Sequence, residues 1–372
     1  MANGNEQEVL QILEDSFLGE ILKDEGITDI RFDGTKLTLQ HNQKGYIRAD
    51  FTPSREEIKR LVRRIADTQN KEFTHSQPIL ETEIGYLRVC AVHEAASPDG
   101  ISLAIRVSRP RLALSSIKEM TSKKNEDIEK LLKVLVQAGN NIVISGKTGA
   151  GKTELQKLLV GYIPDDQPIV LIEDTRDSHI KALYPEKDIM SWQTLLSEDR
   201  DKKITIQDLV KTSLRTNPIW TIVSETRGAE AADMLDSAKT DHSIITTIHA
   251  KGAMNIPSRF IPIIRQSPSY SDMSEMLIGR EVTELLRFGI HLGLEMEQGK
   301  VVRRIKEIVE FTGFGESGAE GVYLYKENRE YDEEKNVYYI KEIMNPLTEK
   351  TITDLKNKKL YHLLPDIFKG KR

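Results

Sequence analysis

From Gly146 to Thr153 the chain reads Gly-Lys-Thr-Gly-Ala-Gly-Lys-Thr, which fits G-x-x-x-x-G-K-[ST] at every fixed position. The chemistry suited to that spacing is the wrapping of a polyphosphate. Successive backbone N–H groups can turn around a phosphate only where side chains do not intrude, and Gly146, Gly149 and Gly151 meet that need. Lys147, Thr148 and Ala150 fill the loop between them, with Lys147 a solvated or phosphate-near charge. A helix opening at the end of the loop, through Lys152, Thr153 and Glu154, adds unpaired N–H donors and the positive end of its dipole. Lys152 has the reach for the β and γ phosphates, and the Thr153 hydroxyl is a ligand for Mg²⁺.

Other side chains with chemical potential follow at strand ends. Glu173 and Asp174 close the apolar run from Pro168. Beside a phosphate loop, Glu173 can orient or deprotonate an attacking water; the alternative is an acid capping a nearby helix. Glu225 ends the run Pro218-Ile-Trp-Thr-Ile-Val-Ser, the pattern of a Walker B acid that holds Mg²⁺ directly or through water. His249 ends Ile244-Ile-Thr-Thr-Ile. A neutral imidazole there can bond phosphate or a catalytic acid, or simply pack. His242, at the start of the same strand, belongs at the opposite end of the sheet. Arg88 and Arg106 sit within predicted strands, where a solvated or salt-bridged position is the plain reading.

The elements that must position these residues are legible from periodicity. Ile142, Val143 and Ile144 read as a buried parallel strand, and Leu155, Leu158 and Leu159 as the helix after the loop. In an open parallel sheet the ligand lies beyond the carboxyl ends of the strands, which puts Glu173, Glu225 and His249 on the loop's rim. A helix over 126–137 feeds the first of these strands, and two more, near 206–214 and 230–239, separate the later ones. Upstream, Val9, Leu10, Ile12, Leu13, Phe17, Leu18, Ile21 and Leu22 form a helical stripe. A hairpin turns at Asp33-Gly34, and Ser54-Arg-Glu-Glu57 is a capping box opening a helix. Strands are expected around Tyr86–Val92 and Ile101–Val107. Pro110 marks the break between a small α+β region and the rest.

Length and composition narrow the classes. A chain of 372 residues exceeds a typical single core. The 53 basic and 58 acidic residues give a net charge of −5, and no direct nucleic-acid partner is expected, since such domains are usually basic. Cys90 is the single cysteine, which excludes an intrachain disulfide and a cysteine-cluster zinc site and suits a reducing compartment. The first residues lack the basic and apolar regions of a signal peptide. No apolar run approaches the roughly 20 residues of a membrane span. A cytoplasmic location follows as the expectation, with peripheral contact at the inner face of the cell membrane left open.

With its boxes in this order the chain resembles the bacterial secretion/traffic ATPases, which serve type IV secretion and conjugation, type II secretion, type IV pili and tight-adherence pili. Gly146–Thr153 is similar to their Walker A, Ile172–Thr175 to the acidic box, Leu214–Pro218 with Ile222–Gly228 to the Walker B region, and Thr240–Ala250 to the His box. Gln77–Glu81, Tyr86–Val89 and Ser102–Arg106 resemble N-terminal strands whose arginines come over the nucleotide, at Arg88 and Arg106. The likeness runs over about residues 25–312. Departures are Ile219 where Asp is usual, Ser224 for Gly, a His box in which Asp241 replaces the first Gly of Gly-His-x-Gly and the second is missing with one residue deleted, and Glu154 where Thr or Ser is commoner.

The resemblance implies an α/β fold, with a RecA-like P-loop NTPase domain preceded by a smaller α+β N-terminal domain. The divisions are 1–108, a linker at 109–124, the ATPase domain at 125–312 and an extension at 313–372, in which the glycines of 313–321 read as a linker. It implies a P-loop ATPase binding ATP and Mg²⁺ between the two domains. Lys152, Glu173, Glu225 and His249 are its catalytic candidates, with Thr153 and Glu225 on the metal. Arg88, Arg106, Arg215 and Arg227 are candidates to clamp the γ-phosphate or report its loss. The implied assembly is a homo-oligomer, a hexameric ring at the cytoplasmic face of a secretion or conjugation machine, with hydrolysis converted into domain motion. Alternatives are a pilus-assembly ATPase of the same family, a helicase-like or packaging motor, and a nucleotide-binding assembly subunit without turnover.

Overall fold

The computed structural model describes residues 11–195 and 203–370, so Val9 and Leu10 of the first stripe lie outside the described residues. The chain divides into two compact units, Met1–Pro110 with Glu295–Val302, and Arg111–Leu294 with Arg303–Arg372. No helix among the described residues is long and apolar enough to cross a membrane.

Unit 1 is built on a six-stranded antiparallel sheet. Its strands are β1 (Ile27–Phe32), β2 (Leu37–His41), β3 (Gly45–Arg48), β4 (Ile79–Ile84), β5 (Leu87–Val92) and β6 (Ser102–Val107), in the spatial order β3-β2-β1-β6-β5-β4. The hairpin at Asp33-Gly34 forms as expected, with Gly34 at φ +96°. Helix α1 (Leu18–Lys23) takes only part of the first apolar stripe, because residues 15–17 break into a turn. Helix α2 (Arg55–Thr68) opens with the capping box. Ser54 Oγ accepts from Glu57 N at 3.3 Å, and the Glu57 carboxylate accepts from Ser54 N at 2.8 Å. Its buried face, Ile58, Leu61, Val62 and Ile65, packs into the core with Ile30, Val89 and Ile105 from the sheet. Strand β3 carried no clear sequence signal; it is four residues long with alternate residues half-buried and exposed.

Unit 2 is a nine-stranded sheet ordered β15-β14-β13-β12-β7-β11-β10-β8-β9. Its left-hand members in that order are β15 (Val337–Met344), β14 (Gly318–Asp332), β13 (Lys300–Gly315) and β12 (Phe288–Glu297). They are followed by β7 (Ile142–Gly146), β11 (Ser243–Ile248), β10 (Trp220–Val223), β8 (Ile169–Glu173) and β9 (Ile189–Gln193). From β12 to β9 the pairings are parallel, while β13 to β15 are antiparallel. Alternation along each central strand sends side chains to opposite layers. Ile142 and Ile144 join Ile222, Ile245 and helices α3 (Glu126–Gln137) and α4 (Lys152–Gly161). Val143 faces the other way, toward α7 (Glu230–Lys239), α8 (Ile256–Ile264) and α9 (Glu275–Leu285). The β7 strand is wholly buried, which is why its sequence runs apolar through Ile142, Val143 and Ile144 rather than alternating.

Two features differ from the sequence-based expectation. Ile189–Gln193 forms an edge strand beside β8, in a stretch too mixed in polarity to announce itself. The glycines of 313–321 do not make a linker. They close a long hairpin, with Gly315 paired to Gly318 and Gly321 lying opposite Phe311. A Cβ on Gly321 would meet Glu310 O at 2.6 Å, so these glycines permit close strand approach rather than flexibility. A boundary at 312–313 would cut through β13, and the residues beyond it share the main core. Leu347, Leu355, Leu364 and Phe368 pack in the same cluster as Leu131, Leu135 and Ile142. Glu310, fully buried, accepts from Thr348 N at 2.8 Å and so fixes the start of α10 (Glu349–Asn357) to β13.

Candidate functional site

The parallel strands all present their carboxyl ends to one edge of the sheet, and the glycine loop leaves β7 at that edge. Gly146 passes close to β12: a Cβ there would stand 2.8 Å from Leu292 O, so glycine alone fits. Gly151 is the N-cap of α4 at φ +93°. With no side chain, it leaves the first-turn N–H groups of α4 open to an incoming anion.

Around that loop three predicted residues meet. Lys152 Nζ lies 3.2 Å from Gly146 O, 3.4 Å from Lys147 O and 3.5 Å from His249 Nδ1. His249 Nδ1 is 3.0 Å from Gly146 O, and its Nε2 is 2.9 Å from Glu225 Oε1. The ring therefore lies between the glycine loop, Lys152 and the Glu225 carboxylate. Burial lowers the Lys152 pKa, and the nearby Glu225 charge pulls it back up.

Glu173 closes β8 and is 2% exposed. Its Oε1 accepts from Ser178 N at 3.1 Å. Burial dominates over that bond and raises its pKa to about 7. A carboxyl group with that pKa exchanges its proton near neutrality, which suits a general base. The same bond ties down the turn before the short helix α5 (Ile180–Leu183), but Ser178 lies ahead of the N-cap His179 and the helix takes no side-chain cap, so Glu173 does not cap it.

The arginines are distributed differently. Arg227 pairs with Asp174 across the ends of β10 and β8. Arg215 is exposed and precedes the first residue of β10, which places it at the sheet edge opposite the glycine loop. The structure does not bring it to the loop of its own chain, because the connection from α6 (Ile206–Ser213) enters β10 at its amino end. His242 is at that same far edge, its Nδ1 donating to Pro218 O at 2.7 Å. Arg88 and Arg106 belong to unit 1, directly opposite one another on the exposed face of β5 and β6. Like charges so placed repel; Arg106 Nε is 3.2 Å from Asp29 Oδ1, and Glu83 lies opposite Arg88 on β4.

The departures from the family pattern are accommodated. Ser224 needs no positive φ, and its carbonyl accepts from Thr247 Oγ1 at 2.8 Å. Asp241 stands at φ +63°, a region that glycine prefers and aspartate tolerates. Glu154 turns its carboxylate away from the loop: Oε2 accepts from Ala113 N at 3.0 Å and Oε1 from Lys157 Nζ at 2.7 Å.

Two neighbours of the loop were not singled out from the sequence. Arg303 on β13 donates from Nε to Gly149 O at 2.7 Å. Burial depresses its pKa, with Glu154 opposing. His291 on β12 sits 3.0 Å from Ser145 Oγ. Its pKa is lowered chiefly by burial and further by Lys147 and Lys152, with Glu307 opposing. Neither follows a motif. The pair Arg303-Arg304 lies in an alternating strand, and only the strand's register decides which of the two faces the loop.

Comparison with known proteins gives consistent results. A family model described as Type II/IV secretion system protein matches residues 6–274. An uncharacterized protein of Bacillus anthracis is 30% identical over 316 residues, 82% of this chain and 69% of that protein. The type IV secretion system protein PtlH of Bordetella pertussis is 34% identical over 146 residues, spanning 37% of this chain and 40% of PtlH. Among solved structures, the ATPase DotB of Legionella pneumophila aligns over 97% of this chain and 87% of its own, with a TM-score of 0.57 at 18% identity. That likeness speaks to the fold.

Proposed function

Since this chain belongs to the type II/IV secretion system protein family, we propose that it is an ATP-hydrolysing motor for a type IV secretion or conjugative transfer machine. The observation that carries the reading is the convergence of Lys152, His249 and Glu225 on the glycine loop. In this reading the loop amides and Lys152 neutralise the phosphates. Thr153 and Glu225 would supply oxygen ligands for Mg²⁺, a hard cation that would shield phosphate charge when bound. His249 holds the Glu225 carboxylate in place. Glu173 accepts the proton of the attacking water, its raised pKa suiting that transfer near neutrality.

A ring of identical subunits is proposed as the working assembly, because a head-to-tail interface closes by rotation. Arg88 and Arg106 are then candidates to bring positive charge to a neighbouring subunit's nucleotide, a contribution worth about 10³ or more in rate. Hydrolysis would be converted into domain motion at the cytoplasmic face of the membrane machine.

The test is phosphate release by the assembled protein under Mg²⁺-ATP, alongside Lys152→Ala and Glu173→Gln. Turnover by the wild type, lost in both variants and indifferent to added nucleic acid, supports a secretion motor. A wild type that binds ATP but releases no phosphate is an assembly subunit instead. Stimulation by DNA or RNA transfers the protein to the nucleic-acid motors.

A further inference from the structure

At the third position of α4, directly after Thr153, the chain carries Glu154. An acid is an unexpected neighbour for a triphosphate, since both are anions drawn to the same helix N-terminus. The structure gives the carboxylate other partners. Oε2 accepts from the backbone N–H of Ala113 at 3.0 Å, and Oε1 accepts from Lys157 Nζ at 2.7 Å. Lys157 lies one turn further along α4, and its side chain is only 4% exposed. Its ammonium also donates to Arg111 O at 3.3 Å. Two side chains of the phosphate-loop helix thus hold two backbone groups of residues 111–113. This stretch follows directly on the point where the chain passes from unit 1 to unit 2, at Pro110 and Arg111.

We propose that Glu154 is a positioning residue that fastens residues 111–113 to the first turn of the phosphate-loop helix, and that nucleotide occupancy tightens this fastening. A buried ammonium needs its counter-charge, and a carboxylate with two oxygens can accept from Lys157 and Ala113 at once. Released from these donors, Glu154 would swing in water and compete for the amides at the start of α4. Phosphate bound to those amides removes that alternative and repels the free carboxylate, which favours the fastened arrangement. Nucleotide binding and linker attachment are then coupled, and the coupling is reciprocal. The coupling rests on the nucleotide-site reading above; the fastening does not.

The experiment is hydrogen exchange over Arg111–Leu114 in the full-length protein, with and without Mg²⁺-ADP, and calorimetric measurement of ADP affinity. Glutamine at 154 keeps one acceptor oxygen but presents an NH₂ group where the second stood, so Glu154→Gln breaks one bond without removing bulk. Glu154→Ala breaks both and strands Lys157, so it is paired with Glu154→Ala/Lys157→Met to guard against misfolding. Without nucleotide, exchange at Ala113 should rise by about tenfold in the alanine variants, the loss of one net hydrogen bond, and by less in Glu154→Gln. In the wild type, ADP should slow exchange there; in the variants that response should vanish while ADP still binds. Unchanged exchange in every variant overturns the fastening. So does a tenfold or greater loss of ADP affinity with exchange unchanged, which would make Glu154 a nucleotide ligand. Failure of the wild type to bind ADP overturns the parent reading and the coupling, whereas the nucleotide-free exchange still judges the fastening.

Discussion

His249 Nε2 stands 2.9 Å from Glu225 Oε1, while the other ring nitrogen faces Gly146 O at 3.0 Å. The imidazole thus lies between the Glu225 carboxylate and the first residue of the glycine loop. In this geometry the histidine at the end of β11 aims an acid.

Replacing the ring should expose that role. His249→Ala frees Glu225 to rotate, and turnover should fall about 10- to 100-fold, the usual cost of losing an orienting partner. ATP binding, which depends on the loop amides and Lys152, should persist. Steady-state phosphate release with a separate equilibrium binding measurement checks both halves.

Glu173 predicts two pH dependences of opposite benefit. If it is the base, kcat rises with pH through about 7, the value to which burial raises its pKa. Glu173→Gln should then lose about 10²- to 10⁴-fold in kcat with no remaining limb in that range. Stability runs the other way. The folded pKa lies above the ordinary carboxyl value of 4.5, so the folded state holds the proton more tightly. Its penalty is absent below about 4.5, grows as pH rises to about 7 and is full above. Glu173→Gln should therefore be more stable than the wild type at pH 8, by on the order of 1–3 kcal/mol, with the gap closing at pH 5. Urea melts at the two pH values measure this.

Arg303 braces the loop through Gly149 O. Arg303→Ala removes a charge-assisted bond of about 1.5–3 kcal/mol, and phosphate binding by the loop should weaken. The Michaelis constant for ATP should rise about tenfold or more with kcat changing little, and Arg303→Lys should recover part of the loss. A fall in kcat alone would refute a bracing role.

The segment beyond residue 312 should prove inseparable from the sheet. Leu355 is fully buried in the cluster that holds Leu131 and Ile142, and Leu355→Ala should cost about 2–5 kcal/mol. A chain ended at residue 312 loses β14, β15 and α10 and uncovers that cluster. It should be insoluble or molten. Soluble expression with a cooperative melt would show that the region is dispensable cover.

Much of the site is readable from the residues alone, and for a definable reason. A parallel strand's carboxyl end is marked locally by an apolar run followed by a polar residue, so Glu173, Glu225 and His249 can be ranked on one rim. The same rule assigns His242 to the far edge, where it bonds Pro218 O. The same rule separates Arg215, which comes before its strand, from the loop. β9 escapes notice because an edge strand with half-buried residues lacks periodicity.

What the sequence determined by itself is the set of local events: glycines where the backbone must pass closely, the Ser54 capping box, buried strands and the acids at their ends. These depend on interactions within a few residues, which composition and spacing encode. Only tertiary structure decided the partners. Register brought Arg303 to Gly149 and His291 to Ser145 and folded the glycines of 313–321 into a hairpin, and helix packing set Glu154 against Ala113. Apart from the hairpin, each of these joins residues far apart in the chain, and such meetings are set by how whole layers pack rather than by any pattern the neighbouring residues carry.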